Sequence, residues 1–190
     1  MAKIFGNLHL VLLVGLLLAI IVMMKFAPVA PVDVNSILHW LHSFFGVLWI
    51  GLLYYLNFVQ VPTMPSVPAE LKKGVTGYIA PKVFFFFRYS ALLTVITGIW
   101  IAVNAGYAHQ AFTLSGGGQF QLIGVGMYIA LIMFFNVWVL IWPAQQKILG
   151  LVEASDEAKA KAGPIALAAS RTNLLLSLPM LYCMVSANLG

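Results

Sequence analysis

The residues best suited to chemistry are histidines that fall within apolar stretches. His39 and His42 are three apart, so on a helix they share a face. The same stripe continues through Gly46, Trp49, Leu53, Asn57 and Gln60, the spacing of one helix face turned into a bundle. His109 falls beyond the next apolar run, on the same side of a bilayer by span counting, whereas His9 falls on the opposite side. Neutral imidazole is a common axial ligand of haem iron, and helical bundles hold such groups between facing helices. One reading is therefore a haem b or metal site with His42 as the leading ligand and His39 or His109 as second ligand. The other is that these histidines sit at the headgroup interface and bond water or backbone. The pattern HxxH does not decide between them.

A second set of polar residues recurs at another depth. Asn57, Arg88, Asn136, Arg171 and Asn173 come from four different apolar runs. Arginine stays charged, and its planar fork suits flat anions. All five acidic residues, Asp33, Glu70, Glu153, Asp156 and Glu157, lie outside the apolar runs. The arginines therefore lack an internal counter-ion. One reading is an anion pocket for an acidic heterocycle, a haem propionate or a lipid headgroup. The other has Arg88 and Arg171 snorkelling to lipid phosphates while the asparagines bond across helices. Hydrolytic catalysis is excluded by type: the runs hold no carboxylate pair, no Ser/His/Asp set and no phosphate-cradling loop. Cys183 is the sole cysteine, which excludes a disulfide within the chain, a Cys-based metal cluster and a covalent c-type haem.

The elements that must position these groups are membrane helices. The 190 residues are 62% hydrophobic and 8% charged, against about 25% charged in soluble domains. A chain so poor in charge cannot cover a water-facing surface. Apolar runs at about 8–27, 36–60, 82–104, 120–142 and 165–187 each meet the requirement of roughly 20 residues to cross a bilayer. The expected fold is an all-α integral membrane protein, a single domain over 1–190 built as a bundle of about five transmembrane helices. Prolines punctuate it: Pro28 and Pro31 after the first run, Pro62 to Pro68 after the second, Pro143 closing the fourth and Pro164 opening the fifth. The first run is long for a signal peptide, and Ala27-Pro28-Val29-Ala30 is a poor cleavage site, so it reads as a retained helix. Segment 153–161 reads as a short solvated helix. Phe84 to Phe87 and Tyr54-Tyr55 read as aromatic anchors at span ends.

Lys3, Lys72, Lys73, Lys82, Lys147, Lys159 and Lys161 fall on one side and Lys25 on the other. The positive-inside rule then gives a cytoplasmic N-terminus and a periplasmic C-terminus. The net charge of +5 is scattered over helix ends rather than gathered on one face, which argues for topology and against nucleic acid.

Four of these segments resemble a family. His39-Trp40-Leu41-His42 with Gly46, Trp49 to Tyr55, Asn57-Phe58-Val59 and Pro62 is similar to the second span of the membrane domain of the cytochrome c-linked bacterial urate oxidases. So are Pro81, Phe87-Arg88, Thr94 and Thr97-Gly98. So are Asn136-Val137-Trp138, Ile141-Trp142-Pro143 and Gln145-Gln146-Lys147. So are Ser170-Arg171-Thr172-Asn173, Ser177, Pro179-Met180 and Met184. The resemblance implies a multi-pass protein of the bacterial inner membrane in purine catabolism. Urate would be oxidised and electrons passed to a c-type haem. In the full-length enzymes that haem lies in a C-terminal domain. This sequence carries no CxxCH motif, so the resemblance implies either a separate c-type cytochrome as acceptor or other redox work. A non-catalytic subunit of a larger respiratory or oxidase complex is the alternative. A small transporter or channel lacks support, because the spans show no inverted repeat and no internal acid.

Overall fold

The computed structural model describes residues 5–29 and 32–187, which form two compact units, 1–37 and 38–190. In the first unit, helix α1 (Leu8–Phe26) is capped by Asn7, whose side chain accepts from the backbone of His9 and Leu10. It buries no residue and is apolar on every face, as a lipid-facing helix is.

Helix α2 (Val34–Tyr54) leads from the first unit into the second. The second unit continues with α3 (Ala69–Gly74), α4 (Ala80–Asn104), α5 (Ala108–Thr113), α6 (Gly118–Phe135), α7 (Trp142–Ile148) and α8 (Asp156–Ser186). No strand occurs among the described residues. Four helices are long and apolar enough to cross a membrane: Leu8–Phe26, Val34–Ser66, Ala69–Asn104 and Gly118–Ile148. The fifth expected run lies within α8. That helix has ample length at 31 residues, but Arg171, Asn173 and its charged first turns make it less apolar than the other four.

The first span ends before Pro28 and the second at Ser66, within Pro62 to Pro68, but Pro143 does not close the fourth and Pro164 does not open the fifth. Segments Tyr55–Gln60, Val75–Ile79 and Asn136–Ile141 are π-helical, and each ends two residues before a proline: Pro62, Pro81 and Pro143. A proline ring clashes with the carbonyl four residues back and donates no hydrogen bond. Those carbonyls belong to Phe58, Gly77 and Val139, all inside the π turns, so widening the turn clears the ring and lets the helix run on. The fourth run therefore continues through Pro143 to Ile148. Pro164 lies inside α8, whose start is set instead by the Ser155 cap, with residues 156–161 of the expected solvated helix supplying its first turns. The Lys161 ammonium lies 2.7 Å from Glu157 on that exposed stretch.

The core lies where α8 packs along α6 and the second half of α2 meets α4. Trp49, Leu53, Phe87, Met133 and Val137 are fully buried there. The Phe84–Phe87 run splits by helical phase: Phe84 and Phe87 are buried, while Phe85 and Phe86 are exposed. Two glycines permit close helix approach. A Cβ on Gly126 would lie 2.8 Å from Cys183 Cβ, and one on Gly124 would collide with the Ala111 carbonyl oxygen.

Candidate functional site

The larger cavity, about 480 Å³, lies at the His39 end of the second unit, between α2, α4, α6 and α8. His42 lines it, and its ring is fixed. Nδ1 lies 2.9 Å from the Thr94 carbonyl oxygen and 3.2 Å from Thr97 Oγ1. A carbonyl can only accept, so Nδ1 carries the proton. The Thr97 hydroxyl already donates to the Leu93 carbonyl at 2.7 Å and also acts as an acceptor towards the ring. Nε2 is therefore the lone-pair nitrogen. The flank of the ring rests on Gly98, where an added Cβ would lie 2.8 Å from His42 Cε1. Gly46 and Gly98 together leave the space that side chains would fill, and Met127, Met180 and Met184 line the apolar remainder.

The three histidines of that side separate. His39 is exposed but lines the same cavity. His109 is exposed on α5 and does not line it; Tyr107 does. Among the described residues no three His, Cys, Asp or Glu side chains gather as a metal cage.

At the other end, the asparagines bond across helices. Asn57 Nδ2 donates to Leu53 O, just before the first π segment, at 2.9 Å. The same Nδ2 lies 2.9 Å from Ser170 Oγ on α8. Asn173, with no exposed surface, donates to Met133 O at 2.9 Å, at the entry to the other π turn, and accepts from Asn136 Nδ2 at 2.9 Å. These amides stitch α8 to its neighbours. Arg171, two residues before Asn173, is exposed and takes no part in that network. Arg88 is half-buried, with its guanidinium carbon 3.5 Å from the centre of the Trp142 ring and 5.9 Å from that of Trp138. Its Nε and Nη1 are buried without a hydrogen-bond partner.

The urate oxidase N-terminal family matches residues 82–190, more than half of the chain. The chain belongs to that family. No curated protein and no solved structure matches it. The region matched to the family holds Thr94, Thr97 and Gly98, which seat His42, together with Arg88, Asn136, Arg171 and Asn173. It leaves α2, with His42 itself, outside.

Sequence reasoning missed the contribution of α4 to the histidine site. Thr94, Thr97 and Gly98 recur at a three-to-four residue spacing and so share a face, which is the signal that pairs them with the α2 stripe.

Proposed function

We propose that the chain is a redox protein of the bacterial inner membrane with a haem b site between α2 and α4, where His42 Nε2 would hold the iron. The observation that carries this reading is the Nδ1–H bond to Thr94. Metal-ligating histidines are typically oriented by donating their other ring nitrogen to a carbonyl, which fixes the tautomer. The donor set also fits: one poised imidazole in an apolar, glycine-flanked cavity suits an iron carried by a porphyrin better than an ion caged by protein alone. Haem b bound there supplies one-electron chemistry. The chain's own residues seat the ring, exclude water and hold the proton on Nδ1.

In this reading the fifth span lies within α8, the N-terminus is cytoplasmic and the C-terminus periplasmic. Urate is the electron donor, and a c-type cytochrome is the acceptor. Arg88 is the group that would meet an anion, because two of its nitrogens are buried without partners beside the Trp142 face.

The test is a visible absorption spectrum of the purified protein, before and after dithionite. A Soret band with reduced α and β bands is expected. A colourless protein, prepared under conditions that retain haem in a control b-type cytochrome, overturns the reading.

A further inference from the structure

The cavity that His42 lines holds further groups able to ligate iron, and their placement chooses among them. Two axial ligands of one haem come from opposite faces of the macrocycle. His39 lines the cavity but shares a helix face with His42, with Cβ atoms about 5–6 Å apart at that spacing, so both imidazoles approach from the same side. His109 does not line the cavity, and neither does Cys183, which is buried beside Gly126. Tyr107 lines it, but tyrosine ligates iron as the phenolate. Burial pushes the Tyr107 phenol up, towards the neutral form. The side chains of the wall that remain for iron are thioethers: Met127 on α6, and Met180 and Met184 on α8.

The packing separates these three. Asn57 meets Ser170 and Tyr54 meets Ser177, so α8 runs antiparallel to α2 and each step along it climbs towards the level of His42. Met184 therefore stands one turn nearer to that level than Met180. Met180 is buried in the cluster around Trp49, and Met127 in the cluster of Ala102 and Ala111. Met184 alone of the three packs against both clusters, and it is only half-buried. Ala102 lies one turn beyond Gly98, on which the His42 ring rests. The Met184 thioether thus belongs to the layer of the bundle in which the ring is seated, on a helix other than that of His42.

We infer that Met184 Sδ is the second axial ligand of the haem proposed for this cavity, opposite His42 Nε2, an assignment that rests on that haem being bound. A thioether is a softer donor than imidazole and favours the reduced iron, so a His/Met pair raises the reduction potential above that of a bis-histidine haem.

The test uses the full chain in detergent. The oxidised protein is expected to show the near-infrared sulfur-to-iron charge-transfer band, read by magnetic circular dichroism. Met184→Leu conserves volume. It is expected to keep the Soret band, lose the sulfur band, take up carbon monoxide several-fold faster once reduced, and titrate at a lower potential. Met184→His is the second variant, should Met184→Leu not fold. It is expected to restore a low-spin spectrum without the sulfur band, which a merely structural methionine would not produce. Met127→Leu and Met180→Leu are expected to keep the band. A Soret band without the sulfur band in the unaltered chain, a sulfur band that survives in folded Met184→Leu or Met184→His, or its loss in Met127→Leu or Met180→Leu instead would overturn the assignment and leave the haem reading standing. A colourless protein would overturn both.

Discussion

The Nδ1 atom of His42 on α2 lies 2.9 Å from the carbonyl oxygen of Thr94 on α4. This contact fixes the tautomer of the one histidine that is both half-buried and set in the large cavity, and it joins two helices that the sequence places 52 residues apart. His42→Ala is expected to abolish the Soret band of the purified protein, while His109→Ala leaves it unchanged, since His109 does not line the cavity. Retention of haem by a folded His42→Ala variant would remove the ligand assignment without removing the haem.

Gly98→Ala tests the seating of the ring. The new methyl would lie 2.8 Å from His42 Cε1, closer than side chains approach one another, and would displace the imidazole. Haem content is expected to fall several-fold, with the helix content by far-UV circular dichroism unchanged. Normal haem loading in Gly98→Ala would show that the ring does not act from this position.

Thr97→Val keeps the shape of the side chain and removes the 3.2 Å hydroxyl contact to Nδ1, leaving the Thr94 carbonyl in place. Outer-shell partners of a ligating histidine typically contribute 10- to 100-fold in affinity, and here one of two is lost. The expected result is a weaker haem, lost several-fold faster to an apo-globin acceptor. An unchanged loss rate would assign the orientation of the ring to Thr94 alone.

Asn173→Leu tests the stitching of α8. It removes the acceptor of the buried Asn136 Nδ2 and one of two donors to the Met133 carbonyl, which keeps the Asn136 backbone N–H. Leaving the buried amide unpaired costs about 1–3 kcal/mol. A fall in the unfolding midpoint in detergent is expected, larger than that for substitution of the exposed Arg171 by Ala. A double-mutant cycle with Asn136→Leu should recover part of the loss, because the apolar pair leaves fewer orphaned groups.

Arg88→Lys keeps the charge and loses the planar group that stacks on Trp142. The fluorescence of the tryptophans is expected to change, and binding of urate, where the spectrum shows haem, to weaken several-fold. Unaltered urate affinity would leave Arg88 a structural cation.

Much of this protein is legible without coordinates, and the reason is the solvent. Long, continuously apolar runs give the helical class and the rough position of each long helix, though not its ends, and the scarcity of charge draws attention to the few polar side chains within them. The stripe is read correctly within α2, where a regular helix turns by a constant angle: Trp49 and Leu53 are both buried, and Asn57 in the π segment beyond is buried too. The same rule carries less far elsewhere. His39 shares the stripe yet is exposed, since the start of α2 lies at the edge of the bundle. Arg171 and Asn173 share a depth, but positions two apart on a helix point to nearly opposite faces, and only Asn173 turns inward.

The sequence by itself thus determined the helical class, the extent of the apolar runs and the short inventory of groups able to do chemistry. The tertiary structure alone decided which nitrogen of His42 is left open, because that depends on a carbonyl of another helix. It also decided that the asparagines bond one another, Ser170 and helix carbonyls, and that Gln60, Gln145 and Ser170 line one cavity. Each proline was visible, but its effect depends on whether neighbouring side chains can satisfy the carbonyls that a widened turn sets free. That is a property of the packed bundle and not of the local sequence.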